Sequence, residues 1–242
     1  MKVVILSDIH GNLEALSALR EKFDELWVLG DLVNYGPDPA EVIEFVRANA
    51  SVIVRGNHDH AIGFGEDPRC SPPFREMAEA MTQYTKSVLS DSQKQFLREI
   101  PLAARRDVDG LKVSLCHAAP SDPLFAYCPP DSPRWEEEVD LARADVLLVG
   151  HTHLQFIREI RAQKVVNPGS LGQSKMGNPA ACYAVLENGA IELHSYEYPF
   201  EKTIQKLAAL PLPSGIKTSL ADVLRHGGLP AAIGRCFTII DR

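Results

Sequence analysis

Seven residues of this chain have side chains suited to holding cations, and all seven recur at one kind of place. Asp8 and His10 follow the apolar run VVILS, Asp31 follows LWVLG, Asn57 follows SVIVRG together with His58 and Asp59, His117 follows KVSLC, and His151 and His153 follow DVLLVG. Taken singly, an Asp-x-His or Gly-Asp pair is more often a turn than a ligand pair. Five apolar runs that each end in such residues describe something else. Carboxylate, amide oxygen and neutral imidazole, with no thiolate among them, suit borderline cations such as Mn, Fe, Co, Ni or Zn. Seven donors exceed a four-ligand zinc site. Two divalent metal ions about 3.5 to 4 Å apart, bridged by a carboxylate, would use them all.

The apolar runs must be strands for this placement to matter. VVILS, LWVLG and SVIVRG alternate with the helical patterns NLEALSALREKF and AEVIEFVRAN, an order that predicts parallel strands joined by helices. In open α/β sheets the carboxyl ends of strands converge on one crevice, so ligands far apart in sequence would meet there. The second helix carries its own start signal, with Asp38 as N-cap, Pro39 at the first position and Glu41 completing a capping box. Residues 61–75 read as a loop, followed by helices near 76–89 and 92–99 that form an insertion over the core. Strands near 102–107 and 111–116 flank the turn signal Asp109-Gly110. An irregular stretch over 119–133, a helix near 134–143, the fully apolar strand DVLLVG and strands near 155–160, 164–166, 181–187 and 190–197 complete one domain over 1–200. Residues 201–242 read as an extension, helical and then loose, because Pro211, Pro213 and Gly227-Gly228-Leu229-Pro230 argue against compact packing.

A chain of 242 residues with 45% hydrophobic and 24% charged residues is of ordinary globular composition. Its net charge of -7 and its lack of Lys/Arg runs argue against long nucleic acid as a partner. The five cysteines, Cys70, Cys116, Cys128, Cys182 and Cys236, are odd in number and form no C-x-x-C pair, which fits reduced thiols in the cytosol. The amino-terminal apolar run is too short for a signal peptide, and no run approaches a membrane span, so the expectation is a cytoplasmic protein without membrane contact. Nothing in the sequence marks an oligomeric state.

The segments DIHGN, GDLVNYGPDP, GNHD, HAAP and GHTH resemble the ordered motifs of the calcineurin-like metallophosphoesterases and span residues 8 to 153. KVVNPGS, at 164–170, is similar to the segment that follows in small bacterial and archaeal phosphodiesterase-type members. The resemblance implies an α/β (α+β) fold, a four-layer α-β-β-α sandwich of two mixed sheets, with a two-metal centre at one edge. It assigns Asp8, His10 and His153 to one metal, Asn57, His117 and His151 to the other, and Asp31 to the bridge. His58 matches the family's non-ligand histidine, which contacts the phosphate or protonates the leaving group. The implied activity is hydrolysis of a small phosphate ester, most of all a phosphodiester, by a hydroxide shared between the cations. A phosphomonoesterase or a dinucleoside polyphosphate hydrolase are the alternatives, with a nuclease or a noncatalytic metal-binding scaffold that docks partner proteins further off.

Around this centre, Asp59 is expected to orient His58, and Arg55 and His60 are candidate substrate contacts. His194 and His226 read as structural or exposed, and Cys116 as a core thiol. The loops 61–75 and 119–133 are expected to shape substrate choice.

Overall fold

The computed structural model describes residues 1–229. Its strands are β1 (Lys2–Leu6), β2 (Glu25–Val28), β3 (Val52–Ile53), β4 (Ala103–Val108), β5 (Leu111–Cys116), β6 (Val146–Leu148), β7 (Gln155–Ile160), β8 (Gln163–Pro168), β9 (Ala181–Glu187) and β10 (Ala190–Tyr196). They form two five-stranded sheets, ordered β10-β9-β1-β2-β3 and β4-β5-β6-β8-β7. Both are mixed. In the first, β1, β2 and β3 run parallel and β9 pairs antiparallel with β1; in the second, β5, β6 and β8 run parallel between antiparallel β4 and β7.

The uniformly apolar runs are explained by layers on both sides of each sheet. Side chains alternate in direction along a strand. Val3, Ile5, Trp27 and Leu29 therefore meet Val113, Leu115, Val146 and Leu148 between the sheets. Val4, Leu6, Leu26 and Val28 face outward, where helices α1 (Leu13–Ala18) and α2 (Pro39–Asn49) cover them. After α3 (Asn57–Phe64) and α4 (Pro72–Val88), helix α5 (Asp91–Glu99) adds Leu97 to the same layer. Helix α6 (Trp135–Ala142) packs Trp135, Val139 and Ala142 on the outer face of the second sheet, against Cys116, Leu147 and Val165. The four layers and the core position of Cys116 match the sequence reading. No helix among the described residues is long and apolar enough to cross a membrane.

Three local expectations are corrected. Ala61–Phe64 is helical rather than loop, because GNHD opens α3. Asp38 does sit at the start of α2, but its side chain makes no cap hydrogen bond. Its carboxylate instead accepts from Lys206 at 2.9 Å, beside Glu14 at 2.8 Å from the same ammonium.

The segment after Tyr198 is also packed rather than loose. Helices α7 (Phe200–Ala209) and α8 (Ser214–His226) bury Leu207, Leu220 and Val223 against Phe74, Met77 and Met81 of α4 and against Tyr35. Pro211 and Pro213 occupy the link between the two helices, where no helical N–H is required, and Gly227 closes α8 at φ +59°. Pro230 and the rest of the expected loose end lie outside the described residues. Leu220→Ala is therefore expected to cost about 2 to 5 kcal/mol, as for a buried leucine, whereas a loose tail would register less than about 0.5 kcal/mol by urea unfolding.

Candidate metal centre and substrate cleft

The seven donors gather where the carboxyl ends of β1, β2, β3, β5 and β6 meet, so one edge of both sheets supplies the site. Five of them hold left-handed backbone: Asp8 (φ 53°), His10 (50°), Asp31 (55°), His151 (65°) and His153 (61°). Non-glycine residues in that region cost roughly 1 to 3 kcal/mol each and persist only where the surroundings over-determine them. Here the chain is clamped by Asp8 N to Gly30 O (3.0 Å), His10 N to Asp31 O (2.9 Å) and Gly150 N to His117 O (2.7 Å). The glycines of GNHD and GHTH have a steric reason too. A Cβ on Gly56 would fall on the Asp31 carboxylate, and one on Gly150 on the Ser7 hydroxyl.

The donors form two groups, Asp8, His10 and His153, and Asp31, His117 and His151, with ligand atoms within 4.8 Å of one another inside each. Asp31 Oδ2 lies 3.3 Å from His117 Nε2 and 3.7 Å from His10 Nε2, which places it between the groups. Asn57 Oδ1 joins the second group, 3.0 Å from His117 Nε2 and 3.1 Å from His151 Nδ1. The Asn57 amide is held by its Nδ2, which donates to Pro68 O at 2.7 Å.

Hydrogen bonding within the first group shows what it lacks. His10 Nδ1 donates to Val33 O at 3.0 Å and His153 Nδ1 to Gln173 O at 2.7 Å, which fixes both tautomers. Burial holds His10 down at about 3 and His153 well below its ordinary value, so both rings are neutral. Their Nε2 lone pairs thus face each other at 3.2 Å with no proton between them. Asp8 Oδ1, buried and without a hydrogen-bond partner, stands 3.3 Å from His153 Nε2. A cation would satisfy all three converging acceptors at once, so the residues fit the metal that the motifs imply. In the second group burial opposes a charge on His117, but Asp31 and Asp8 outweigh it and lift that imidazole to about 9.

His58 lies beside this centre and outside both groups. Asn34 Nδ2 is 2.8 Å from His58 Nδ1, and Nε2 faces Cys70 Sγ at 3.4 Å. A neutral ring that accepts from Asn34 carries its proton on Nε2, and so does the imidazolium, so a proton is available on the outward nitrogen in either state. Burial opposes that charge, but Cys70 and Asp31 outweigh it and raise His58 to about 9.

The expected role of Asp59 is corrected. Its carboxylate makes no hydrogen bond to His58 and instead accepts from the amides of Asp31 (2.8 Å), Leu32 (2.8 Å) and Gly56 (3.0 Å), tying the Asp31 loop to α3. Asp59→Asn is therefore expected to lower stability by about 2 to 4 kcal/mol, because one acceptor oxygen becomes an NH₂ facing backbone N–H. Activity should fall evenly across substrates. If Asp59 oriented His58, stability would hold and esters with poor leaving groups would suffer selectively.

Arg55 and His60 do not line the cleft. Arg55 donates from Nη1 to Arg98 O at 2.7 Å and covers the Phe64 ring at 4.8 Å, bracing α3 on α5. His60 stacks on Phe64 at 4.6 Å and meets Glu66 at 3.2 Å. His194 stacks on Tyr183, and His226 ends α8 at the surface.

The cleft over the centre has a volume of about 190 Å³. Arg69, Cys70 and Phe74 come to it from one expected loop and its helix, and Phe125 and Tyr127 from the other. Gln173 and Lys175 come from a segment the sequence reading did not single out. The available signal was a lone lysine in SLGQSKMGNP, directly after NPGS, where Ser170 Oγ donates to Asp8 O at 2.8 Å. A larger depression of about 350 Å³ beside Ala104, Ser114 and Leu141 holds none of the seven donors.

The chain is similar to known proteins in sequence and fold. Residues 1–189 match the calcineurin-like phosphoesterase superfamily domain. The chain is 29% identical over 234 residues to an uncharacterised protein of Methanocaldococcus jannaschii, covering 87% of this chain and 93% of that one. It is 28% identical over 208 residues to phosphodiesterase YfcE of Escherichia coli K12, covering 80% and 91%. The crystal structure of a metallophosphoesterase from Sphaerobacter thermophilus aligns with a TM-score of 0.78 at 29% identity, covering 91% of this chain and 99% of that one. Since the family match runs from β1 through β9 and takes in both donor groups, this chain belongs to the calcineurin-like phosphoesterase superfamily.

Proposed function

We propose that this protein hydrolyses small phosphodiesters in the cytoplasm, with Asp8, His10 and His153 holding one divalent cation, Asn57, His117 and His151 a second, and Asp31 between them. The observation that carries this reading is the pair of buried donor groups sharing Asp31, at 3.3 Å from His117 and 3.7 Å from His10. Cations bound there supply Lewis acidity, activating water near neutral pH and offsetting charge on the phosphoryl oxygens.

The rest of the chemistry belongs to the chain. Water adds to phosphorus in line with the bond that breaks, and the departing oxygen takes the proton that His58 carries on Nε2. Asn34 keeps that nitrogen turned outward. Tyr35 lies edge-on to both His10 and His58 at 4.9 Å, and the two imidazoles meet edge to face at 5.1 Å, so the three rings brace one another. Free thiols at Cys70, Cys116, Cys128 and Cys182 agree with a reducing compartment.

The donor set favours Mn, Fe, Ni, Co or Zn over Mg, which prefers oxygen ligands. The test is a panel of phosphate mono- and diesters against protein reconstituted separately with Mn, Ni, Fe, Zn and Mg. Turnover of diesters with a borderline cation, abolished by chelation and restored by metal, is the expected result. Turnover that survives chelation, or that is confined to monoesters, would overturn the proposal.

A further inference from the structure

The cleft holds two cationic side chains that the hydrolytic reading does not use. Lys175 lines it, partly buried, with Nζ 4.8 Å above the Phe74 ring. Arg69 lines it from a different loop, exposed, with its guanidinium 4.1 Å above the Phe125 ring. Lys2 and Lys206 are paired with carboxylates elsewhere. Neither Arg69 nor Lys175 forms an ion pair among the described residues. Both are instead supported from beneath by an aromatic face, which positions a cation without neutralising it.

The bland account of Lys175 is that it offsets the Asp8 and Asp31 carboxylates. Those two carboxylates are committed to the cations the donor groups fit, however, and two divalent ions exceed them in charge. With the buried Asp59 and the attacking hydroxide counted, the loaded centre is balanced, so Lys175 and Arg69 remain as surplus positive charge over it. A phosphodiester, with a single negative charge, would leave part of that surplus uncompensated.

We propose that Lys175 and Arg69 form a subsite for a second phosphate of the substrate, adjacent to the one held over the metal centre. The natural substrate class is then a phosphate ester that carries a further phosphate, as nucleoside polyphosphates do. This deepens the proposed hydrolysis and rests on it for the position of the first phosphate.

AMP and ADP, which differ by one phosphate, are suitable probes. Their affinities are measured by calorimetry in excess metal, and as competitors of bis(p-nitrophenyl) phosphate hydrolysis. Wild type is expected to bind ADP at least about 10-fold more tightly than AMP, the range of one charge-assisted contact. Lys175→Met should reduce ADP affinity by about 10- to 100-fold and AMP affinity distinctly less, so that the preference falls towards one, with Lys175→Arg restoring much of it. Arg69→Met, at an exposed position that folding tolerates, should move the preference the same way.

Equal affinities for AMP and ADP in wild type, or a preference unchanged in Lys175→Met and Arg69→Met, would overturn the subsite. If no ester is turned over with any metal, the hydrolytic proposal fails separately, and the calorimetric comparison still decides the subsite.

Discussion

Replacing Asp31 with asparagine is expected to reduce diester hydrolysis by at least about 10³-fold while the protein still folds. The carboxylate lies between the groups, 3.3 Å from His117 Nε2 and 3.7 Å from His10 Nε2. Its other oxygen accepts the backbone N–H of His58 at 2.9 Å, a bond that an asparagine amide oxygen can keep. The substitution therefore retains shape and one hydrogen bond, and removes the charge that would hold two cations together. Charge stabilisation by bound metal contributes several kcal/mol to such reactions, and each 1.36 kcal/mol or so is tenfold in rate. Metal analysis on the same preparation should show fewer than two ions per chain, with far-ultraviolet circular dichroism unchanged. Full activity with two ions retained would remove Asp31 from the bridge.

His58→Ala should separate substrates by leaving group. General acids contribute about 10²- to 10⁴-fold, and the benefit is greatest when the departing oxygen is a poor leaving group. Loss of His58 is thus expected to cost alkyl and nucleoside esters about 10²-fold or more, and nitrophenyl esters distinctly less. Metal content should be normal, because His58 points its Nε2 at Cys70 and belongs to neither donor group. The measurement is kcat/KM for both proteins across esters of graded leaving-group pKa. A uniform drop would reassign His58 to phosphate binding, and no drop would remove it from the reaction. Asn34→Ala offers a positioning control: with the 2.8 Å contact to Nδ1 gone, a smaller loss with the same leaving-group trend is expected.

What could be read in advance follows from the length scale of the signal. DIHG, GNHD and GHTH sit at the ends of apolar runs, and the rule that parallel strands open on a common edge carried them from separate stretches of chain to one place. The four layers were implied by the family resemblance of the motifs, whereas the runs by themselves call only for parallel strands joined by helices and, at DVLLVG, for cover on both faces.

The misreadings concern partners chosen by tertiary contact. Asp59 is adjacent to His58 in sequence, yet β2 and β3 run side by side, so the amides of Asp31 and Leu32 reach its carboxylate first. Asp38 had the pattern of a capping box, but Lys206 reaches it from α7, 168 residues further along the chain. Pro211, Pro213 and Gly227 have the composition of breakers, although in a helical hairpin they belong at the link and at the end. Lys175 has no local pattern at all. Its meaning comes from Phe74 beneath it and from the cleft it lines.

The most direct test of the account is anomalous diffraction from crystals grown with manganese, recorded at the manganese edge. The prediction is two peaks about 3.5 to 4 Å apart, one in contact with Asp8, His10 and His153, the other with Asn57, His117 and His151, and Asp31 touching both. A single peak, or manganese bound away from these residues in a preparation that hydrolyses diesters, would contradict it.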